Sequence, residues 1–172
     1  MWITLSCLAF LLFADQLTKY LCERFLSYGE VIKVIPNFLD ITLVYNKGAA
    51  FSFMSNSTWL LALISLVASG FLVYFITKNN WKRKKCYSIA ITLMLAGTFG
   101  NFIDRAFSVF KFREGVVDMI IFAPLDFIWE RIFNSSFAIF NLADTYLVIG
   151  VILLAIDIMF FQEKRAENIW NL

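Results

Sequence analysis

Residues 58–77 read TWLLALISLVASGFLVYFIT, without one charged side chain. A helix crosses the ~30 Å hydrocarbon core of a bilayer with roughly 20 predominantly apolar residues, so this stretch is long enough to span. Three further stretches share its character, at about 2–21, 87–103 and 138–161. Of the 172 residues, 60% are apolar and only 16% charged; a soluble domain carries about 45–50% and about 25%. The sequence therefore predicts an α-helical integral membrane protein with four transmembrane helices, folded as a single domain over residues 1–172.

The connection between the second and third spans reads Lys78-Asn79-Asn80-Trp81-Lys82-Arg83-Lys84-Lys85, all cations and no acid among its charges. Short loops biased this way stay in the cytoplasm. Both termini then face the cytoplasm, and residues of about 22–57 and 104–137 face outward. The tail Glu163-Lys164-Arg165 is mixed and adds little. The first span is read as a retained helix, because Met1-Trp2-Ile3 lacks a basic lead-in and Ala14-Asp15-Gln16 is a poor cleavage site.

The outward segments carry structure of their own. Residues 32–35 and 38–45 are β-branched and aromatic around Pro36-Asn37, and Val116 to Phe122 reads alike. A small extracytoplasmic β-layer lying on the bilayer fits, with Trp59 and Trp129 as interface anchors. The aromatic segment 123–136 is expected to form an interfacial helix or flap.

The chain has no histidine. That excludes Ser-His-Asp and Cys-His nucleophilic machinery, histidine-ligated metal and a histidine proton switch. Cys7, Cys22 and Cys86 form no CxxC pair, and no metal or other cofactor is expected. A net charge of +2 gives no argument for nucleic acid. Any chemistry falls to Asp, Glu, Lys, Ser, Thr, Tyr or the backbone.

Ionisable groups at membrane depth are costly, about 2.5–3.5 kcal/mol on insertion scales, unless paired or functional. Asp15 and Lys19 stand four apart on one helix face, acid first, the favourable order for an ion pair. Gly97 and Gly100 permit close helix packing. Asn101, Asp104 and Arg105 follow, readable as packing plus a charge pair. In Asn46-Lys47-Gly48-Ala49-Ala50-Phe51-Ser52, Gly48 and the two alanines let a backbone pass close by, and Asn46 offers two donors and an acceptor. Asp118 interrupts an apolar strand, and Asp144 opens the fourth span. Singly, each is a cap or turn acid. Brought together, two carboxylates share a proton and can split water by general acid–base catalysis. Asp157 lies about 20 Å deeper along the same helix and is expected as a solvated helix-end charge; Asp126, Glu130 and Arg131 read as surface groups. Two rivals are a proton- or cation-conducting transporter and a Ser–Lys peptidase with Lys19 or Lys47 as base. The first needs polar groups spread across the bilayer depth. The second needs an unpaired, desolvated lysine.

Five segments carry a resemblance: Asp15-Gln16-Leu17-Thr18-Lys19, the Asn46 to Ser52 run, Gly100-Asn101-Phe102-Ile103-Asp104-Arg105, Val116-Val117-Asp118 and Phe140-Asn141-Leu142-Ala143-Asp144. In this order they resemble the bacterial lipoprotein signal peptidases (signal peptidase II), over nearly the whole chain. The resemblance implies a multi-pass aspartic endopeptidase of the bacterial cell membrane with its site at the outer face. Its implied substrate is a prolipoprotein, cut just before a cysteine carrying diacylglycerol, and its implied inhibitor is the cyclic peptide globomycin. The catalytic pair falls on Asp118 and Asp144. Supporting residues fall on Asp15, Lys19, Asn46, Gly48, Asn101, Asp104, Arg105 and Asn141, with membrane lipid as surroundings and a monomer as the working unit. The family's glycine-rich lead-in is reduced here to Ala96-Gly97-Thr98-Phe99.

Overall fold

A computed structural model describes residues 2–48, 58–78, 81 and 84–162. Along the chain run α1 (Trp2–Phe25), β1 (Val31–Ile35), β2 (Leu39–Asn46), α2 (Thr58–Thr77), α3 (Lys85–Val109), β3 (Val116–Phe122), α4 (Ala123–Phe133) and α5 (Leu142–Phe160). The four helices α1, α2, α3 and α5 are long and apolar enough to cross a membrane. The four-span reading therefore holds, with shifted boundaries. Helix α1 runs on to Phe25 and α3 to Val109, so the Gly97 to Arg105 segment lies inside a helix rather than at its end. Helix α5 starts at Leu142 and not at 138. Phe140 is tied to the sheet by a bridge to Ile120, and Asn141 caps the helix. Residues 49–52 of the Asn46 segment, residues 79, 80, 82 and 83 of the cationic connection and the 163–165 tail lie outside the described residues.

Helix α3 is the centre of the bundle and packs on α1, α2 and α5. Small residues allow it. A Cβ on Gly97 would stand within 3 Å of two backbone atoms of α5, the Ala143 carbonyl and the Leu147 amide, and one on Gly100 would stand 2.7 Å from an Asp15 carboxylate oxygen. Gly150 does the same from α5, where a Cβ would meet the Ala90 carbonyl at 2.9 Å. Backbone cannot give way as a flexible side chain can. Gly97→Ala is expected to force α3 and α5 apart and lower stability by about 3 kcal/mol, the upper range for overpacking, read as a lower unfolding midpoint in detergent.

The expected β-layer is a three-stranded antiparallel sheet in the order β1-β2-β3. It lies at the end of the bundle where α1 and α3 finish and α5 begins. Alternation along β3 sends Val117 and Met119 into a cluster with Leu43 and Cys22, and a period of two turns Asp118 to the other face. Val44 pairs with Asp118 and Asn46 with Val116, so Asn46 is the diagonal neighbour of Asp118 on that face. The segment expected as an interfacial helix or flap forms α4, with Pro124 in its first turn and Asn134 as a left-handed C-cap. None of its residues is buried. It is fastened to the segment before α5 by the Phe137 amide donating to Asp126 Oδ1 at 2.7 Å and by Trp129 packing on Phe137. Glu130 and Arg131 are exposed as expected; Asp126 is half-buried in that contact.

Candidate active site

The start of α5 explains why the acids gather. Four backbone N–H groups at a helix N-terminus lack helical partners. Asn141 Oδ1 accepts from the Asp144 amide at 2.9 Å, while Asp144 Oδ2 accepts from the Asn141 amide at 3.2 Å, a reciprocal capping box. The Ala143 amide donates to Asp15 Oδ1 at 3.0 Å, across from α1. The cap thus fixes one oxygen of Asp144 and leaves the other free to turn toward α3. There Asn101 Nδ2 donates to Asp144 Oδ1 at 2.7 Å.

Asp118 arrives from β3. Its Oδ1 accepts from Asn141 Nδ2 at 2.7 Å and its Oδ2 from Asn46 Nδ2 at 3.0 Å. Each of the three asparagine amides is oriented from behind. The Gly48 amide donates to Asn46 Oδ1, Asn101 Oδ1 accepts from Lys19 Nζ and Asn141 Nδ2, and Asn141 Oδ1 holds the Asp144 amide. No amide can flip without opposing two donors or two acceptors. Every carboxylate oxygen of Asp118 and Asp144 therefore receives one N–H.

Lys19 is fully buried, and its three protons meet Asp15 Oδ2 at 2.9 Å, Asp104 Oδ2 at 2.7 Å and Asn101 Oδ1 at 3.2 Å. The expected Asp15–Lys19 pair is present. Asp104 and Arg105 do not pair with each other. Helical spacing sends adjacent residues to different faces, so Asp104 turns to Lys19 and to Arg113 at 2.5 Å, whereas Arg105 Nη1 donates to Ser65 Oγ on α2 at 3.0 Å. Asp157 is also corrected. Helix α5 continues beyond it to Phe160, and it is buried at 1% exposure rather than solvated, near Tyr87 of α3. Lys47 is exposed and lies 3.6 Å from Glu114. Neither Lys19 nor Lys47 is thus an unpaired, desolvated base.

Asp118 and Asp144 line one cavity of about 370 Å³, walled by Asn46, Phe137, Phe140, Val148 and Ile149 among others. Val148 and Ile149 are exposed on α5, so the cavity is bordered on that side by an exposed apolar helix face. Burial pushes the Asp118 carboxyl up to about 7, helped by the negative charge of Asp144 and opposed by the amide donors of Asn46 and Asn141. The Gly48 amide is hydrogen-bonded to Asn46, while Asn141 is wholly buried behind the acids. Sequence reasoning passed over Gln16, which donates toward Asp15, Asp104 and the Gly100 carbonyl, and over Arg113 and Glu23.

A sequence profile of the family described as signal peptidase (SPase) II matches residues 7–160. The chain belongs to that family. Similar proteins of the signal peptidase II family include the lipoprotein signal peptidase of Ectopseudomonas mendocina, 39% identical over 97% of this chain and 92% of the relative. That of Anoxybacillus flavithermus is 41% identical over 88% of this chain and 82% of the relative. A solved structure described as a bacterial membrane enzyme superposes with a TM-score of 0.76 at 34% identity, covering 94% of this chain and 96% of the other. As a member of the signal peptidase II family with four apolar helices, the chain is a multi-pass membrane peptidase.

Proposed function

We propose that this membrane peptidase is an aspartic endopeptidase that removes the signal peptide from diacylglyceryl-modified prolipoproteins, cutting just before the lipidated cysteine. The observation that carries the reading is the pair Asp118 and Asp144 on the wall of one cavity, each oriented by locked amide donors. The prolipoprotein class follows from the relatives' names, each a lipoprotein signal peptidase. The lysine-rich connection supports a cytoplasmic location for both termini and an outward-facing site in the bacterial cytoplasmic membrane. One chain supplies the whole constellation, which supports action as a monomer on a prolipoprotein substrate within membrane lipid.

In the reaction, the extended peptide enters laterally past Val148 and Ile149, with its acyl chains left in the outer leaflet. Asp144 takes a proton from a water as that water attacks the scissile carbonyl carbon. Asp118, protonated near neutral pH, gives its proton to the carbonyl oxygen, producing a neutral gem-diol. Collapse of the diol breaks the C–N bond, with a proton delivered from Asp144 to the leaving amine and one returned from the diol to Asp118. Asn46 and Gly48 stand on the substrate side; Asn101 and Asn141 hold the acids. The proton belongs to the coupled pair rather than to one residue. No covalent intermediate forms.

The test is purified protein in bicelles with a synthetic prolipoprotein peptide bearing a diacylglyceryl cysteine. Mass spectrometry is expected to find a product beginning at the modified cysteine, blocked by globomycin and untouched by serine-acylating reagents. Equal cleavage of the unlipidated peptide would refute the substrate assignment. Proton flux through liposomes without substrate would favour the transporter reading.

A further inference from the structure

The pathway from Lys19 to the acids has a feature that the pair itself does not require. Asp104 lies wholly buried in α3. Its Oδ2 contacts Lys19 at 2.7 Å and lies 3.4 Å from the Val117 amide, the residue before Asp118. Its Oδ1 receives Arg113 Nη1 at 2.5 Å and Gln16 Nε2 at 3.2 Å. Arg113 lies in the connection between α3 and β3, is only 10% exposed in its side chain, and places its second amino group 2.6 Å from Glu23 of α1. Its guanidinium also lies over the Phe107 ring. One cation therefore faces Asp104 from each side, Lys19 from α1 and Arg113 from the connection.

The balance of charge gives this a consequence. Lys19 alone faces two buried carboxylates, Asp15 and Asp104. With Arg113 neutralising Asp104, Lys19 can sit between both acids and still direct a third proton to Asn101. That third proton, together with Asn141 Nδ2, keeps Asn101 Oδ1 turned away from the dyad and Nδ2 turned toward Asp144. Arg113 touches neither dyad acid and is absent from the wall of the dyad cavity.

We infer that Arg113 is a positioning residue for peptide hydrolysis: by clamping Asp104 it holds Lys19 and Asn101 in the arrangement that orients Asp144. This rests on the dyad reading above. Without Arg113, Asp104 draws Lys19 to itself, and the Asn101 oxygen keeps only the Asn141 amide as a donor, so the group that faces Asp144 is held by one contact instead of two. Substrate binding, which uses the opposite side of the acids, is unaffected.

The experiment measures kcat and KM on the lipidated peptide for Arg113→Gln, Asp104→Asn, the double variant and Arg113→Lys, with Asp118→Asn as control. Arg113→Gln is expected to lower kcat ten- to a hundredfold with KM within twofold, and Arg113→Lys to recover at least half of that loss on a logarithmic scale. The double variant is expected to match Asp104→Asn alone, because Arg113 has nothing to clamp once Asp104 is neutral. Should Arg113→Gln not fold, the double variant lacks the uncompensated acid, and its comparison with Asp104→Asn carries the test. An unchanged kcat in Arg113→Gln, or a further tenfold loss in the double variant, overturns the inference while leaving the dyad intact. Activity in Asp118→Asn would instead overturn the dyad reading.

Discussion

Asp118→Asn and Asp144→Asn are each expected to lower prolipoprotein cleavage at least ~10³-fold while the protein still inserts and folds. General acid–base groups contribute typically 10²–10⁴-fold each, and members of one unit fail together rather than additively. An amide at 118 keeps an oxygen for one of the two N–H groups of Asn141 and Asn46 but turns its own NH₂ against the other. An amide at 144 likewise sets a donor against Asn101 or against the α5 cap. Both variants thus lose the exchangeable proton and disturb the lock. Either one cleaving at the wild-type rate would remove the dyad from the mechanism.

The same carboxyl sets two pH dependences. Because Asp118 must be protonated to act as the acid and titrates at about 7, kcat/KM is expected to fall tenfold per pH unit above that point. Stability follows by linkage. The folded state raises this group from its ordinary 3.8 to about 7. The folded protein therefore holds a proton that the unfolded chain releases. The stabilisation from this group is complete below pH ~4 and is lost as pH rises through ~7, at most about 4 kcal/mol. Unfolding midpoints of the wild type should therefore decline between pH 5 and pH 8, and Asp118→Asn should flatten that decline.

The parts of this architecture that follow from local pattern were legible in the sequence. The uncharged run at 58–77 and the β-branched, apolar run around Asp118 specify a spanning helix and a strand without help from the rest of the chain. The pairing of Asp15 with Lys19 is likewise set by helical spacing. What spacing could not supply is direction in three dimensions. Asp104 and Arg105 are adjacent, so they point to different neighbours and cannot serve one another. Asp157 reads as a helix-end charge only if the helix ends there, and α5 goes on to Phe160. Arg113 was hidden because its partners, Asp104 and Glu23, lie 9 and 90 positions away. A signal did exist: two buried acids in the first and third spans, with one intramembrane lysine between them, leave a negative charge that some further cation must meet.

Lys19→Met carries the largest expected loss of stability. The substitution preserves most of the aliphatic volume but strands the fully buried Asp15 without its cation and leaves the fully buried Asp104 with Arg113 alone. Removing one partner of a buried ion pair typically costs about 3–5 kcal/mol, whereas replacing the whole set by neutral groups is often near neutral. The variant should therefore unfold at markedly lower denaturant or temperature in detergent. Adding Asp15→Asn and Asp104→Asn to Lys19→Met should restore most of that stability, since no buried charge is then left alone except that of Arg113, which keeps Glu23. Activity should not return with it. Asn101 Oδ1 would still lack one of its two donors, Lys19, and the α5 amide of Ala143 would meet an amide oxygen in place of a carboxylate. A triple variant that regained both stability and kcat would mean that Lys19 serves the fold alone. Stability without kcat is the result expected if the buried charges were retained for the geometry they impose on Asp144.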